Sequence, residues 1–106
     1  MKTITDVDFE SIIRSTDKLI VVKFGAVWCP PCRAINPVIE EVATMYEGKA
    51  IVASIDVDDS PQTASVYGIR SIPTILFIKD GEVKEKVVGS INKSDLIAKI
   101  DLHNEN

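Results

Sequence analysis

The stretch Leu19–Cys32, LIVVKFGAVWCPPC, ends in the only two cysteines of the chain, Cys29 and Cys32. Leu19-Ile20-Val21-Val22-Lys23-Phe24 is a continuous, largely β-branched apolar run, the pattern of a mostly buried strand. Beyond the cysteines, Ile35, Val38, Ile39, Val42, Ala43 and Tyr46 recur at helical spacing. The cysteines therefore fall where a strand ends and a helix begins. The first turn of a helix carries unpaired N–H groups and the positive end of the helix dipole. A thiolate at Cys29 would be favoured there, which makes it the candidate nucleophile. Cys32, one turn further in, would be more enclosed and act as the resolving thiol.

Two thiols at this spacing can close a small disulfide ring or supply half of a four-ligand metal site. They cannot staple a large loop, because almost no chain lies between them. Pro30 and Pro31 suit the first helical turn, where a missing N–H has no intrahelical partner anyway. They stiffen the loop and leave the Cys32 N–H free to point back at the Cys29 sulfur.

The chain has 106 residues, enough for one domain (1–106) with a single core. Its hydrophobic share is 45% and its net charge −4. The charges are interspersed, which argues against nucleic-acid or anionic-membrane partners. No apolar run approaches the ~20 residues needed to span a bilayer, and the start, Met1 to Asp6, lacks the apolar core of a signal peptide. A cytoplasmic location is expected, where a cysteine pair is more often catalytic or metal-binding than structural.

In chain order, Lys2 to Ile4 is expected to form a short edge strand. Thr5, with Asp8 as capping-box partner, starts a short amphipathic helix through Val7, Phe9, Ile12 and Ile13. The cysteine helix runs from Cys29 to about Tyr46, interrupted by Pro37, with Met45 as core filler. Ala50 to Val57 is a strand, and Ser60-Pro61 caps and opens a short helix closed by Gly68. Thr74 to Ile78 is a strand. Asp80-Gly81 makes a hairpin turn into a returning strand with Val83, Val87 and Val88, which Gly89 ends. Asn92 caps a last helix from Lys93 to about Asp101, and Leu102 to Asn106 are expected to fray. The order β-α-β-α-β-α-β-β-α implies an α/β fold with a parallel portion and an antiparallel hairpin.

Several stretches together resemble the thioredoxin family over nearly the whole chain. They are Val22–Cys32 (VKFGAVWCPPC), Pro37, Gly68–Thr74 (GIRSIPT), Asp80-Gly81-Glu82-Val83 and Val88-Gly89. The resemblance implies the thioredoxin fold, a central mixed sheet of about five strands flanked by about four helices. It implies a protein-disulfide reductase in which Cys29 attacks a substrate disulfide and Cys32 resolves the mixed disulfide. Disulfide-containing proteins would be the substrates, a thioredoxin reductase the recycling partner, and the protein a monomer. By the same resemblance Ile72–Pro73 is a cis peptide beside the sulfurs. Trp28, Ile72, Pro73, Gly89 and Ser90 would then form a flat, mostly apolar rim for an extended substrate segment.

Three positions depart from the family. Pro30-Pro31 stands where Gly-Pro is usual, and this dipeptide tunes how readily the dithiol oxidises. Gly25 stands where many members carry Trp. Lys23 stands where most have a buried Asp that serves the proton of the resolving thiol, and Ser54 replaces its Lys partner. Ser54 and Asp56 share a strand face, so Asp56 is the expected partner of Lys23, restoring the ion pair with its signs exchanged. A charged Lys23 would favour the Cys32 thiolate; a neutral one would accept its proton. The plain alternative is that Lys23 snorkels to the strand end without a role.

Elsewhere the sequence favours ordinary readings. His103 lies in the fraying tail, away from any site. Asp56, Asp58 and Asp59 make a solvated strand end, short of the regularly spaced oxygen ligands of a calcium loop. The charged residues from Lys79 to Lys86 make a solvated hairpin face. No metal or other cofactor is expected: a zinc or iron–sulfur site needs four ligands, so two thiolates would require a dimer. The remaining alternatives are a more oxidising, oxidase- or isomerase-like poise, suggested by Pro30, and a scaffold that binds partners through the rim.

Overall fold

The computed structural model describes residues 1–105. Its elements in order are β1 (Lys2–Thr3), α1 (Phe9–Arg14), β2 (Leu19–Gly25), α2 (Pro30–Met45), β3 (Ala50–Asp56), α3 (Pro61–Val66), β4 (Thr74–Lys79), β5 (Glu82–Val88) and α4 (Lys93–Asn104). This is the expected order, and the five strands form one mixed sheet in the spatial order β1-β3-β2-β4-β5. β1 and β2 run parallel to β3, while β4 runs antiparallel to both β2 and β5.

β2 lies at the centre, and all seven of its residues are buried. Successive side chains of a strand point to opposite faces. Leu19 and Val21 accordingly join the cluster beneath α2 and α4, with Ile39, Val42, Leu96 and Ile100. Ile20, Val22 and Phe24 join the opposite cluster with Phe9, Ile13 and Ala64. A strand covered on both faces has no polar side, which explains its continuous apolar run. Lys23 shares the α2 side by the same alternation.

α2 packs through Cys32, Ile35, Ile39 and Val42, the face its spacing defines. Pro37 lies inside this helix with its ring exposed, so the missing N–H is on the solvent side. The β4–β5 hairpin turns through Asp80 (φ 54°) and Gly81 (φ 77°), the left-handed pair that a two-residue turn requires.

Five local expectations need correction. Thr5 and Asp8 do meet, but Thr5 gives both hydrogen bonds, from its N–H (2.7 Å) and its hydroxyl (3.1 Å), to Oδ1 of Asp8. Val7 sits in that turn, 94% exposed, and is no part of the α1 core face. Met45 is exposed instead of filling the core. The tail does not fray at Leu102: α4 continues to Asn104, and only Asn106 lies outside the described residues. His103 holds that last turn. Its ring packs 5.5 Å from the Phe77 ring, and Nε2 meets Oε1 of Glu85 at 2.7 Å. Lys79 Nζ bonds the terminal carbonyls of His103 and Asn104, which have no intrahelical donors. Glu85 therefore belongs to a half-buried cluster with Lys99 and His103, rather than to a wholly solvated hairpin face.

Candidate active site

The site grows out of the junction between β2 and α2. Cys29 is the N-cap of α2, with an extended backbone (φ −91°, ψ 107°), and its sulfur accepts the Cys32 N–H at 3.3 Å. Pro30 and Pro31 have no N–H to offer. Cys32 therefore supplies the one backbone donor of the first turn, and it is aimed at the Cys29 sulfur. Cys29 and Cys32 are joined as a disulfide, with Cα atoms 5.2 Å apart. Cys29 and Cys32 are both buried, and both pack with Ala26, Val57 and Ile72. Arg33 donates to the Val27 carbonyl at 3.0 Å, tying the preceding loop to α2.

The residues named for the rim lie on three loops, before α2, before β4 and after β5. Ile72–Pro73 is a cis peptide, and the Ile72 carbonyl oxygen lies 4.0 Å from Cys29 Sγ. Gly89, with φ 93°, donates its N–H to the Pro73 carbonyl at 2.8 Å, which brings Gly89 and exposed Ser90 beside that loop. Trp28 is 61% exposed, and its indole N–H donates to Oδ2 of Asp58 at 2.6 Å. Sequence reasoning missed Asp58 as the partner of Trp28. The two are thirty residues apart, and no local pattern connects them.

Behind the sulfurs lies a cleft of about 290 Å³ lined by Lys23, Gly25, Arg33, Asn36, Ser54 and Asp56, among others. Lys23 pairs with Ser54, and Gly25 with Asp56, in the parallel β2–β3 register, so all four share the α2 face. Lys23 is buried, and its ammonium donates to Asn36 Oδ1 at 2.5 Å. Asp56 makes no ion pair with it. Instead Asp56 Oδ1 accepts the N–H groups of Asp58 (2.8 Å) and Asp59 (3.3 Å), closing the turn after β3. Burial pushes the Lys23 pKa below its ordinary value, and the Asp56 charge opposes this at longer range. The contact partner expected from the sequence was thus the wrong one. Asn36 follows Cys32 by one helical turn, so the spacing that placed the core face of α2 would have found it.

A wider groove of about 1020 Å³, lined by Glu10, Arg14, Asp17, Tyr67 and Asp80 among others, contains neither cysteine. It offers no pairing of nucleophile and base, so its size carries no chemical weight. Among the described residues no three His, Cys, Asp or Glu side chains are grouped to hold a metal ion.

Residues 1–102 match the thioredoxin family model. The chain belongs to the thioredoxin family. It is 50% identical over 99 residues to thioredoxin 2 of Chlorobaculum tepidum, covering 93% of this chain and 91% of that one. It is 49% identical over 100 residues to a thioredoxin of Staphylococcus epidermidis, covering 94% of each chain. It is 47% identical over 94 residues to the chloroplastic M-type thioredoxin of Zea mays, spanning 89% of this chain and 56% of that longer one. The five-stranded mixed sheet with four helices is the thioredoxin fold. As a family member with its Cys-x-x-Cys pair in place, the protein is a thiol–disulfide oxidoreductase that reduces protein disulfides.

Proposed function

We propose that Cys29 is the attacking thiolate and Cys32 the resolving thiol. In the reduced protein the Cys29 thiolate attacks one sulfur of a substrate disulfide, and the substrate's other sulfur leaves as a thiolate. Cys32 then attacks Cys29 Sγ. The bond between Cys29 and the substrate breaks, the second substrate sulfur departs, and the Cys29–Cys32 disulfide forms. Two electrons pass to the substrate. The Cys32 N–H aimed at Cys29 Sγ carries this reading, because a helix start with one free donor favours an anion at that sulfur.

Trp28, Ile72, Pro73, Gly89 and Ser90 form the substrate rim in this proposal, and Pro30 and Pro31 hold the loop. Lys23 acts behind Cys32, with Asp56 contributing charge at a distance. The chain works as one domain over residues 1–106, as a cytoplasmic monomer recycled by a thioredoxin reductase. The restriction of its cysteines to this one motif supports a reducing compartment.

An insulin-disulfide reduction assay, driven first by dithiothreitol and then by a thioredoxin reductase, tests the roles. Cys29→Ser should abolish turnover, and Cys32→Ser should accumulate the mixed disulfide. Full turnover by Cys29→Ser would overturn the assignment.

A further inference from the structure

Gly25 lets two side chains meet that a larger residue would keep apart. A Cβ built on it would lie 3.2 Å from both Cβ and Sγ of Cys32 and 3.3 Å from Cε of Lys23. The bare backbone therefore lets the Cys32 sulfur and the Lys23 stem approach the same point. From there the lysine turns to α2, where Asn36 accepts its ammonium hydrogen bond. An ammonium only donates, so it takes the oxygen side of that amide.

The other charged groups facing the cleft are Asp56 from β3 and Arg33 from α2. Asp56 is engaged by the backbone of its own turn, and Arg33 reaches out to the Val27 carbonyl. Ser54, opposite Lys23 on β3, carries no charge. No carboxylate among the described residues forms an ion pair with the Lys23 ammonium, so the anion it can serve at close quarters is a deprotonated Cys32.

We propose that Asn36 is a positioning residue that holds the Lys23 ammonium behind Cys32, so that a fixed cation favours the Cys32 thiolate in the reduced protein. The inference rests on Cys32 being the resolving thiol. The proton leaves Cys32 through the cleft when the dithiol is reduced, and the resolving sulfur attacks as an anion. The departing substrate thiolate then takes its proton from water. A cation at this place stabilises the dithiol over the disulfide, so it makes the pair more oxidising than the same pair without it.

The test uses the full-length chain with Cys29→Ser, so that Cys32 titrates alone. Its alkylation rate is followed against pH with Lys23 and Asn36 intact, with Lys23→Met, with Asn36→Ala, and with both changes. Loss of an opposite charge at this range should lower the acid dissociation constant of Cys32 about tenfold in Lys23→Met. Asn36→Ala should act in the same direction, and the double variant should match Lys23→Met alone, because Asn36 works through the lysine. In the two-cysteine protein, equilibration with glutathione should shift several-fold toward the disulfide in both single variants.

An unchanged Cys32 titration in Lys23→Met would overturn the proposal. So would an Asn36→Ala effect that adds in full to that of Lys23→Met, since it would mark a packing role in α2. The underlying roles fail differently: Cys32→Ser would then turn over insulin without trapping it, whatever the titration of Cys32 shows.

Discussion

A single missing side chain at Gly25 sets how closely Lys23 and Cys32 pack. Its backbone ends the central strand against α2, where a methyl group would press on Cys32 and Lys23 at 3.2–3.3 Å. Gly25→Ala should therefore destabilise the oxidised protein by about 1–3 kcal/mol, the usual cost of overfilling a packed interior. Part of that cost comes from Lys23 Cε, so shortening the lysine should return some of it. In urea unfolding, Gly25→Ala combined with Lys23→Ala should lose about 1 kcal/mol less than the two single changes together. Strict additivity would show that the methyl group is accommodated by some other movement. At this scale the sequence was informative about identity and poor about contact. Cys29, Cys32 and the unusual Lys23 stand out in the chain itself. The partner of Lys23 depended on which of two close polar groups the folded backbone brings into reach, and Asn36 on the facing helix won over Asp56 on the neighbouring strand.

Helix α3 shows how an element can be foreseen while its anchor is not. Ser60 and Pro61 mark its start correctly, yet the Ser60 side chain makes no cap bond. Its hydroxyl accepts the Asp6 N–H at 3.1 Å, and Asp6 does the capping from the far end of the chain. The Asp6 carboxylate accepts the N–H groups of Gln62 (3.0 Å) and Thr63 (2.8 Å) and the Thr63 hydroxyl (2.7 Å). Capping across 57 residues leaves no trace in local sequence, which marks only Ser60 and Pro61. Desolvation alone would raise the Asp6 pKa, but the bonds from Thr63 and Gln62 outweigh it and hold the group below its ordinary 3.8. A carboxylate with a lowered folded pKa stabilises fully above its ordinary pKa, and loses that effect as pH falls through the folded value. Asp6→Ala should accordingly lower Tm by several degrees at neutral pH, and the gap to the parent should close in acid. A gap that stays constant down to about pH 2 would mean that the charge of Asp6 is irrelevant to α3.

Across the whole molecule, among the described residues, the carboxylates whose pKa values are lowered lie outside the central strand β2. The order of elements was legible because each has its own periodicity and punctuation: β-branched runs, helical spacing, Asp80-Gly81, Asn92. The end of α4 was not, because Leu102 to Glu105 look like a polar tail until β4 and β5 present Phe77, Lys79 and Glu85 to them. Bonds from Lys99 and His103 hold the Glu85 pKa below its ordinary 4.5. Asp8, bonded by the Thr5 N–H, is likewise held low in the turn before α1. Asp8 closes the turn before α1, Asp6 ties that turn to α3, and Glu85 ties α4 to β5, whereas β2 is fastened by apolar contacts on both faces. Each folded pKa is lowered, so each tie is complete near neutrality and is lost as pH falls through its folded value, below the ordinary 3.8 for Asp6 and Asp8 and below 4.5 for Glu85. Amide hydrogen exchange between about pH 6 and pH 3, corrected for intrinsic rates, should show α3 and the last turn of α4 losing protection first. The β2 amides should exchange only with global unfolding. Glu85→Gln should remove the acid-dependent part of the α4 loss and leave that of α3 intact, because Asp6 and Glu85 share no partner. Simultaneous loss of protection in all elements would mean instead that acid acts on the molecule as one cooperative unit, with no ordering by these carboxylates.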